Sequence, residues 1–248
     1  VIFGDKEAYA GTFFDKDSIV KTLKPKYIIR HDVLDSHSIS KHHENDFFTR
    51  YRKNIQTKTA SIEDELNLTL AHLQNSTPSG SVSLIVNSNH HDHLDQWLNN
   101  QSVKHDYVNA ELFHYLMWKK LLAIKHNHKE RPALQIFMED VYAMDPNKVR
   151  FMEDGFTLHG ILLSIHGDRG PSGARGALQN LSRLGERVVI GHSHSPGILA
   201  GAFQVGTLSK IDLDYTKGSP TGWIHTNCII HKNGKRQLIN VIGGKWRK

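Results

Sequence analysis

The sequence has little cysteine and no long apolar run, and both shortages narrow the range of proteins it can encode. Its single cysteine, Cys228, excludes a disulfide framework within the chain and predicts a cytosolic compartment. No apolar stretch approaches the roughly 18 residues that a membrane-spanning helix needs, so we expect no membrane partner. The sequence also lacks internal repeats, low-complexity tracts and a long linker. These absences predict a single domain over residues 1–248.

The charge balance is mild, whereas the histidine count is high. A formal net charge of +6 is compatible with a polyanionic partner but specifies none. Histidine occurs 18 times, and because neutral imidazole is a common ligand of transition metals, the positions of these residues matter. The chain begins at Val1 rather than Met, and residues 1–4 already have the pattern of a strand leading into a loop. We therefore expect the natural protein to extend upstream.

Strand and helix patterns alternate along the chain, which predicts an α/β fold. Strands are predicted at 1–3, 27–29, 82–86, 160–165 and 187–190. Helices are predicted at 61–73 with Ser61 as N-cap, from 93, at 109–124 and at 174–184. Asn233-Gly234, between apolar runs at 224–230 and 236–242, predicts a C-terminal β-hairpin. The irregular, charged stretch 126–154 is interpreted as an insertion or an oligomer contact, so a homo-oligomer stays open.

A polar cluster follows each of the five predicted strands. The clusters are Gly4-Asp5-Lys6-Glu7, His31-Asp32-Val33-Leu34-Asp35, Asn87-Ser88-Asn89-His90-His91, His166-Gly167-Asp168 and Gly191-His192-Ser193-His194. Because ligands of α/β folds gather at the carboxyl ends of strands, we expect the clusters to converge on one site. Two divalent cations about 3.5–4 Å apart need a bridging carboxylate and several further nitrogen and oxygen donors. Such donors are supplied by Asp5, Asp32, Asn89, His166, His192 and His194.

The order and strand context of these clusters resemble the calcineurin-like metallophosphoesterase family. Its motifs run Asp-x-His, Gly-Asp-x-x-Asp, Gly-Asn-His-Asp/Glu, a lone His and Gly-His-x-His. The resemblance spans roughly residues 1–200, and the last motif matches at every position. It implies a four-layer α/β/β/α metallophosphoesterase sandwich with two divalent metal ions. It also implies direct attack of hydroxide on phosphorus, without a covalent enzyme intermediate.

The resemblance assigns roles to the matching residues. The metal ligands would be Asp32 as the bridge, Asp5 and His194 at one ion, and Asn89, His166 and His192 at the other. The catalytic residues would be His90, which protonates the leaving group, and Asp35, which orients the His90 imidazole.

Three positions depart from the family pattern. Glu7 stands where the family has a ligand histidine. A carboxylate there can still bind metal, and its hard oxygen favours Mn²⁺, with Mg²⁺ as the alternative. His31 and Ser88 replace glycines, and His91 replaces an acidic residue.

A competing alignment takes Asp35-Ser36-His37 as a literal Asp-x-His first motif. A second Gly-Asp-x-x-Asp should then follow before Asn89, and none does, so the alignment through Asp5 is favoured.

Other histidines and two arginines lie outside the motifs. His37 follows the second motif closely and is a candidate for substrate binding. Arg169 and Arg175 lie in a glycine-rich loop at 167–176, and their guanidinium groups suit phosphate, although a merely flexible loop is the alternative. We expect the remaining histidines to be solvated, namely His42, His43, His91, His93, His126 and His128.

The second motif and three further segments bear on the substrate. Protein phosphatases of this class continue the motif with Arg-Gly, whereas Ser36-His37 follows here, which argues against them. Segments 31–46, 166–176 and 222–237 resemble phage-encoded metallophosphoesterases associated with DNA degradation, and the wider class holds SbcD-type nucleases. We therefore expect a DNA nuclease, acting in the host cytoplasm if phage-encoded. A small-molecule phosphodiesterase or phosphomonoesterase, or a non-catalytic binding scaffold, are the alternatives.

Overall fold

The computed structural model describes residues 4–40, 46–99, 106–211 and 220–247, which form a mixed α/β structure with several small sheets. Contacts within the chain divide it into two compact units. The helical unit holds Val33–Gln74 and Asn89–Pro146, and the sheet unit holds Phe3–Asp32, Asn75–Ser88 and Asn147–Lys248. The predictions of one domain and of an insertion at 126–154 stay predictions. The predicted strand at 1–3, like His42 and His43, lies outside the described residues.

The described residues form eight α-helices. They are α1 (Lys6–Tyr9), α2 (Ile19–Leu23), α3 (Phe47–Ile55), α4 (Ile62–Asn75), α5 (Asn89–Asn99), α6 (Ala110–Lys125), α7 (Ala133–Ile136) and α8 (Leu178–Leu181). Turns of π-helix at Ala10–Phe14 and Phe137–Val141 follow α1 and α7. In this part of the chain, no helix combines the length and the apolar character that crossing a bilayer requires.

Ten strands lie in the described residues, all of them in the sheet unit. They are β1 (Tyr27–Arg30), β2 (Val82–Ile85), β3 (Val149–Phe151), β4 (Thr157–Leu158), β5 (Ile161–Leu162), β6 (Arg187–Ile190), β7 (Gly197–Leu199), β8 (Ala202–Gln204), β9 (Thr226–Ile230) and β10 (Arg236–Asn240). The sheet orders are β1-β2-β3, β4-β5-β6-β8-β7 and β10-β9.

In the helical unit, α4 shows how the sequence pattern makes a helix with one buried face. Ile62, Leu66 and Leu70 recur every four residues, and each is fully buried. The hydroxyl of Ser61 accepts a hydrogen bond of 3.0 Å from the backbone N–H of Asp64, which confirms the predicted N-cap. The acidic first turn also suits the positive end of the helix dipole.

Helix α5 begins four residues earlier than the sequence pattern predicts. Its first residue is Asn89, whereas apolar periodicity becomes visible only from residue 93. His91, Leu94 and Leu98 lie on its buried face at spacings of three and four residues. The polar run at its start therefore hid one turn of helix.

In the sheet unit, β1, β2 and β3 are parallel, with Tyr27 opposite Val82 and Ser83 opposite Val149. Side chains of β1 alternate between two apolar clusters. Ile28 packs with Phe13 and Val20 from the helical segment before the strand.

The inner strands of the five-stranded sheet are buried on both faces. One face contributes Ile161 and Val189 to a cluster that also contains Ile29 of β1, so the first two sheets share apolar contacts. The other face contributes Val188 and Ile190, which pack against Leu181 of α8. The predicted strand at 187–190 is confirmed as β6, whereas only residues 161 and 162 of the predicted strand 160–165 pair.

The predicted helix at 174–184 is wrong over most of its length, because only Leu178–Leu181 is helical. Residues before it form a closed loop, in which Gly170 N–H donates to the Ala174 carbonyl at 2.7 Å and Gly176 N–H donates to the Asp168 carbonyl at 3.0 Å. A Cβ at Gly176 would lie 1.9 Å from the carbonyl oxygen of Gly167, so the two backbone segments touch. These contacts within the loop outweigh the helix propensity of the local sequence.

The predicted C-terminal hairpin is confirmed. β9 and β10 pair antiparallel with Ile230 opposite Arg236, and the turn is closed by a hydrogen bond from His231 N–H to the Lys235 carbonyl. Gly234 has a φ of +76°, a conformation that glycine adopts without steric cost and that an Asn-Gly turn commonly uses.

Candidate metal centre

The loops that follow three strands of the sheet unit bring three side chains together. Asp32 lies two residues after β1, His166 four residues after β5, and His192 two residues after β6. The backbone N–H groups of Gly191 and His192 donate to the carbonyl of His166 at 2.9 and 3.1 Å. These bonds fix the loops after β5 and β6 against each other, as the carboxyl ends of neighbouring parallel strands allow.

The ligand atoms of these three side chains lie close together. His166 Nε2 is 3.0 Å from Asp32 Oδ2 and 3.3 Å from His192 Nδ1. One donor atom from each residue lies within 4.8 Å of the others, so the group could hold a metal ion. The side chain of His166 is fully buried, and that of Asp32 is 17% exposed.

The distances suit a bound transition metal. Donor atoms held by one ion at about 2.1 Å, with angles of roughly 90–110° between bonds, lie about 3.0–3.4 Å apart. Both measured separations around His166 Nε2 fall in that range. Two imidazoles and one carboxylate form a mixed set that fits a first-row transition ion better than Mg²⁺, which prefers oxygen ligands.

The backbone at Asp32 is strained, and the strain lies at the centre of the group. Asp32 has a φ of +46°, a left-handed conformation that costs a residue other than glycine about 1–2 kcal/mol. Aspartate accepts this conformation more readily than most residues do. Strain of this kind is commonly kept at functional sites, which makes Asp32 a functional candidate in its own right.

His31 contacts the group from the side opposite its donor atoms. Its Nδ1 lies 3.3 Å from Nδ1 of His166, and the two rings meet edge to edge, with centroids 5.5 Å apart and planes tilted by 33°. A Cβ at Gly191 would lie 2.6 Å from Cγ of His31, so the glycine leaves the space that the imidazole needs. The sequence identified His31 only as a replaced glycine.

Three further predicted metal ligands lie in the sheet unit but outside this group. Asp5 is the N-cap of α1, and its Oδ1 accepts from the Ala8 N–H at 2.8 Å. Glu7 is exposed on the same short helix. His194 packs edge-on against Trp223, with ring centroids 4.2 Å apart. Their roles as ligands stay predictions.

The remaining predicted ligand and the predicted catalytic pair lie in the helical unit. Asn89 is the first residue of α5, and its Oδ1 is buried. His90 Nδ1 lies 3.1 Å from Asp35 Oδ1, and both side chains are about one-third exposed. Burial raises the pKa of the Asp35 carboxyl, but the hydrogen bond and charge of His90 and the charge of His37 outweigh burial and lower the pKa. The catalytic roles of the pair stay predictions.

The loop after Asp35 is held by two buried charged residues that sequence reasoning missed. The carboxylate of Glu65 accepts from the backbone N–H groups of His37 and Ser38, each at 3.0 Å. Lys53 donates to the His37 carbonyl, and burial lowers the pKa of this lysine to about 8. A charge on the buried face of α4 was the available signal for Glu65, whereas the apolar residues of α3 are exposed and give no signal for Lys53. The predicted role of His37 in substrate binding is not tested by these contacts.

The expectation that His91 is solvated is wrong, whereas His93, His126 and His128 are exposed as expected. His91 is fully buried, and its Nε2 accepts a hydrogen bond of 3.2 Å from the backbone N–H of Val33. It occupies the position after His90 where the resembling family has an acidic residue. The position i−3 from the buried Leu94 was the missed signal.

The loop after His166 displays the two predicted substrate-binding arginines. Arg169 and Arg175 form an isolated antiparallel bridge, which places their side chains on the same face of the loop. Arg175 is exposed, and the Arg169 side chain is 78% exposed with its Nε 3.6 Å from Asp168 Oδ2. The two guanidinium groups are therefore open to solvent on one face of the loop, with the Asp168 carboxylate beside Arg169.

Comparison with known proteins gives one informative similarity. The chain is 31% identical over 247 residues to Protein A1 of Escherichia phage T5, an alignment that covers 98% of this chain and 44% of that protein. The chain thus spans less than half the length of this curated relative, and similarity to a phage protein is compatible with a phage origin. No family model matches the chain. No solved structure matches it either.

Proposed function

We propose that the chain is a two-metal-dependent phosphodiesterase of the calcineurin-like metallophosphoesterase class that cleaves DNA. The observation that carries this proposal is the group formed by Asp32, His166 and His192. These residues come from three separate motifs and are three of the four that the family resemblance assigns to one metal ion. Their gathering within donor distance supports the motif alignment, because unrelated histidines have no reason to meet there.

In the proposed reaction, residues of the chain bind the ions and move one proton. When bound, the ions supply a nucleophile at neutral pH and neutralise charge on the phosphate. His90 donates a proton to the leaving oxygen, and the Asp35 carboxylate holds the imidazole in position for this transfer. The remaining proposed ligands complete the donor set, namely Asp5, Glu7, Asn89 and His194.

We propose that Mn²⁺ is the ion that supports activity. Mg²⁺ is the alternative, and the test must distinguish the two. The carboxylates in the proposed donor set suit Mn²⁺, and the two imidazoles at Asp32 disfavour Mg²⁺. We also propose that the packed layers of the sheet unit belong to the four-layer α/β/β/α sandwich of the class. The shared apolar cluster between its sheets supports this assignment.

Three observations bear on DNA as the substrate. Arg169 and Arg175 offer two guanidinium groups on one face of the loop that follows His166, and guanidinium binds phosphate oxygens in pairs. The net charge of +6 is compatible with a polyanionic substrate, although it does not by itself select DNA. Similarity to a phage protein agrees with the resemblance of three segments to phage enzymes of DNA degradation, which would place the reaction in the host cytoplasm.

The test is a cleavage assay with purified protein in Mn²⁺, Mg²⁺, Zn²⁺ or EDTA. The substrates are plasmid DNA, linear duplex DNA and bis-p-nitrophenyl phosphate. We expect DNA cleavage in Mn²⁺, none in EDTA, and losses of about 100-fold or more in Asp32→Asn and His90→Ala. His231→Ala is the matched control, because His231 is an exposed histidine of the sheet unit remote in sequence from all five motifs.

Other outcomes separate the alternatives. Cleavage of the small diester with both DNA substrates intact would replace the nuclease with a small-molecule phosphodiesterase. An absence of turnover, together with an absence of bound metal by elemental analysis, would leave only a binding scaffold. Equal loss of activity in His231→Ala would show that the variants report on stability rather than on the metal centre.

A further inference from the structure

The contact between His31 and His166 has a property that simple packing would not require. Both rings direct the same atom, Nδ1, at each other, and these atoms lie 3.3 Å apart. A neutral imidazole has one N–H donor and one acceptor nitrogen. One of the two Nδ1 atoms must therefore carry the proton that the other accepts.

The second nitrogen of His166, Nε2, determines which of the two Nδ1 atoms carries the proton when a metal is bound. His166 Nε2 faces Asp32 and His192, so this nitrogen is the donor atom of the proposed centre. Metal binding requires a lone pair on Nε2, and a neutral ring then carries its proton on Nδ1. The Nδ1 of His31 must then accept a hydrogen bond from Nδ1–H of His166. A neutral His31 therefore carries its own proton on Nε2.

We propose that His31 is a positioning residue of the metal centre, which accepts a hydrogen bond from Nδ1–H of His166 and thereby presents Nε2 to the ion. The inference rests on the proposed metal centre and adds a residue that the family pattern, with glycine at this position, does not supply. Ligand histidines generally give their second nitrogen to a carboxylate, carbonyl or water. Here a second imidazole takes that place.

The surroundings of His31 hold it in this orientation. The His31 ring meets the His166 ring edge to edge, with planes tilted by 33°, and the absence of a side chain at Gly191 leaves it space. His31 precedes the strained Asp32, so one short segment after β1 supplies both a ligand and the partner of another ligand. A fixed ring orientation at buried His166 lowers the cost of ordering the site when an ion binds.

The experiment compares Mn²⁺ affinity, measured by electron paramagnetic resonance of the free ion, in the whole chain and in two variants. His31→Phe keeps a flat ring of similar size without an acceptor, whereas His31→Asn places an amide oxygen near the position of Nδ1. We expect Mn²⁺ affinity to fall about 10- to 100-fold in His31→Phe and to recover largely in His31→Asn. Thermal melting of the metal-free proteins checks that both variants fold.

A second readout follows the protons directly. Nitrogen-15 spectra of the imidazoles, recorded with diamagnetic Zn²⁺, should show His166 protonated at Nδ1 and His31 protonated at Nε2. The opposite pattern would overturn the inference, as would equal Mn²⁺ affinity of His31→Phe and the unaltered chain, or no recovery in His31→Asn. If the unaltered chain binds no metal, the proposed function fails as well, so the two failures are distinguishable.

Discussion

At the scale of single residues, neighbouring histidines have very different surroundings. His91 is fully buried and bonded to the Val33 backbone, His93 two residues later is exposed, and His90, immediately before His91, pairs with Asp35. Residue type alone does not separate these roles, because each depends on which face of α5 the side chain occupies. We infer that the buried His91 has a structural role, so its substitution should lower the stability of the folded chain.

We predict that His91→Ala lowers the free energy of unfolding by about 1–3 kcal/mol. The substitution leaves the Val33 N–H without its acceptor in a buried position and removes a packed ring. His93→Ala, on the exposed face of the same helix, should change stability by less than about 0.5 kcal/mol. Urea denaturation of the two variants measures both values, and equal effects would contradict a structural role for His91.

Lys53 predicts a pH dependence of stability. Burial lowers its pKa from 10.5 to about 8, so between these values the unfolded chain binds more protons than the folded chain. Stability should therefore rise with pH from about 8 to 10.5 through this group, and the full gain is present only above the unfolded value.

The measurement is urea denaturation across that pH range with Lys53→Met and Lys125→Met. Lys125, at the exposed end of α6, is the control that removes a lysine without removing a buried charge. The rise with pH should be smaller in Lys53→Met than in Lys125→Met. A rise of the same size in both variants would show that another group causes it.

At the scale of elements, glycines allow segments of the chain to approach each other closely. Gly191, after β6, receives the ring of His31 from the end of β1. Gly176 packs against the backbone at Gly167, which closes the arginine loop. These contacts set the positions of the loops that carry the proposed site.

We predict that Gly191→Ala destabilises the chain and weakens metal binding, because the new methyl group would lie 2.6 Å from Cγ of His31. The same substitution in a His31→Gly background should cost much less, since the clashing ring is gone. A double-mutant cycle by thermal denaturation measures this coupling, which we expect to exceed about 0.5 kcal/mol. Additive effects would show that the two positions do not meet.

Elements with a clear local pattern were predictable from sequence, and those set by tertiary contacts were not. Apolar periodicity identified α4 and α6, and the Asn-Gly pair identified the hairpin between β9 and β10. The helix predicted at 174–184 failed because backbone contacts of Gly176 hold that segment in a loop.

The candidate site, too, was predictable from sequence only in part. Motif order pointed to Asp32, His166 and His192, whereas the partner role of His31 depends on how β1 lies relative to β5 and β6. No local pattern contains that information.

At the scale of the whole molecule, the proposed DNA substrate would meet the positive charge of Arg169 and Arg175 in the loop at 167–176. If DNA is the substrate, its affinity should fall steeply with salt, because bound phosphates release counterions. We predict that Arg175→Gln weakens DNA binding across sequences and lowers the slope of log affinity against log salt by about 1. Arg183→Gln, at an exposed arginine beyond α8, should leave the slope unchanged.

Fluorescence anisotropy with a labelled duplex in Ca²⁺, chosen to slow cleavage, measures these slopes. Equal slopes for both variants would show that the loop is not part of the DNA-binding surface. Binding that does not respond to salt would contradict a phosphate-directed interaction of any kind.

The proposed function depends on Asp32, His166 and His192 binding a metal ion together. This binding can be tested with an anomalous difference map from crystals grown or soaked with Mn²⁺, recorded near the manganese absorption edge. We predict a peak about 2.0–2.4 Å from Asp32 Oδ2, His166 Nε2 and His192 Nδ1, with a second peak about 3.5–4 Å away. A map from saturated crystals without a peak beside these three atoms would contradict the metal centre.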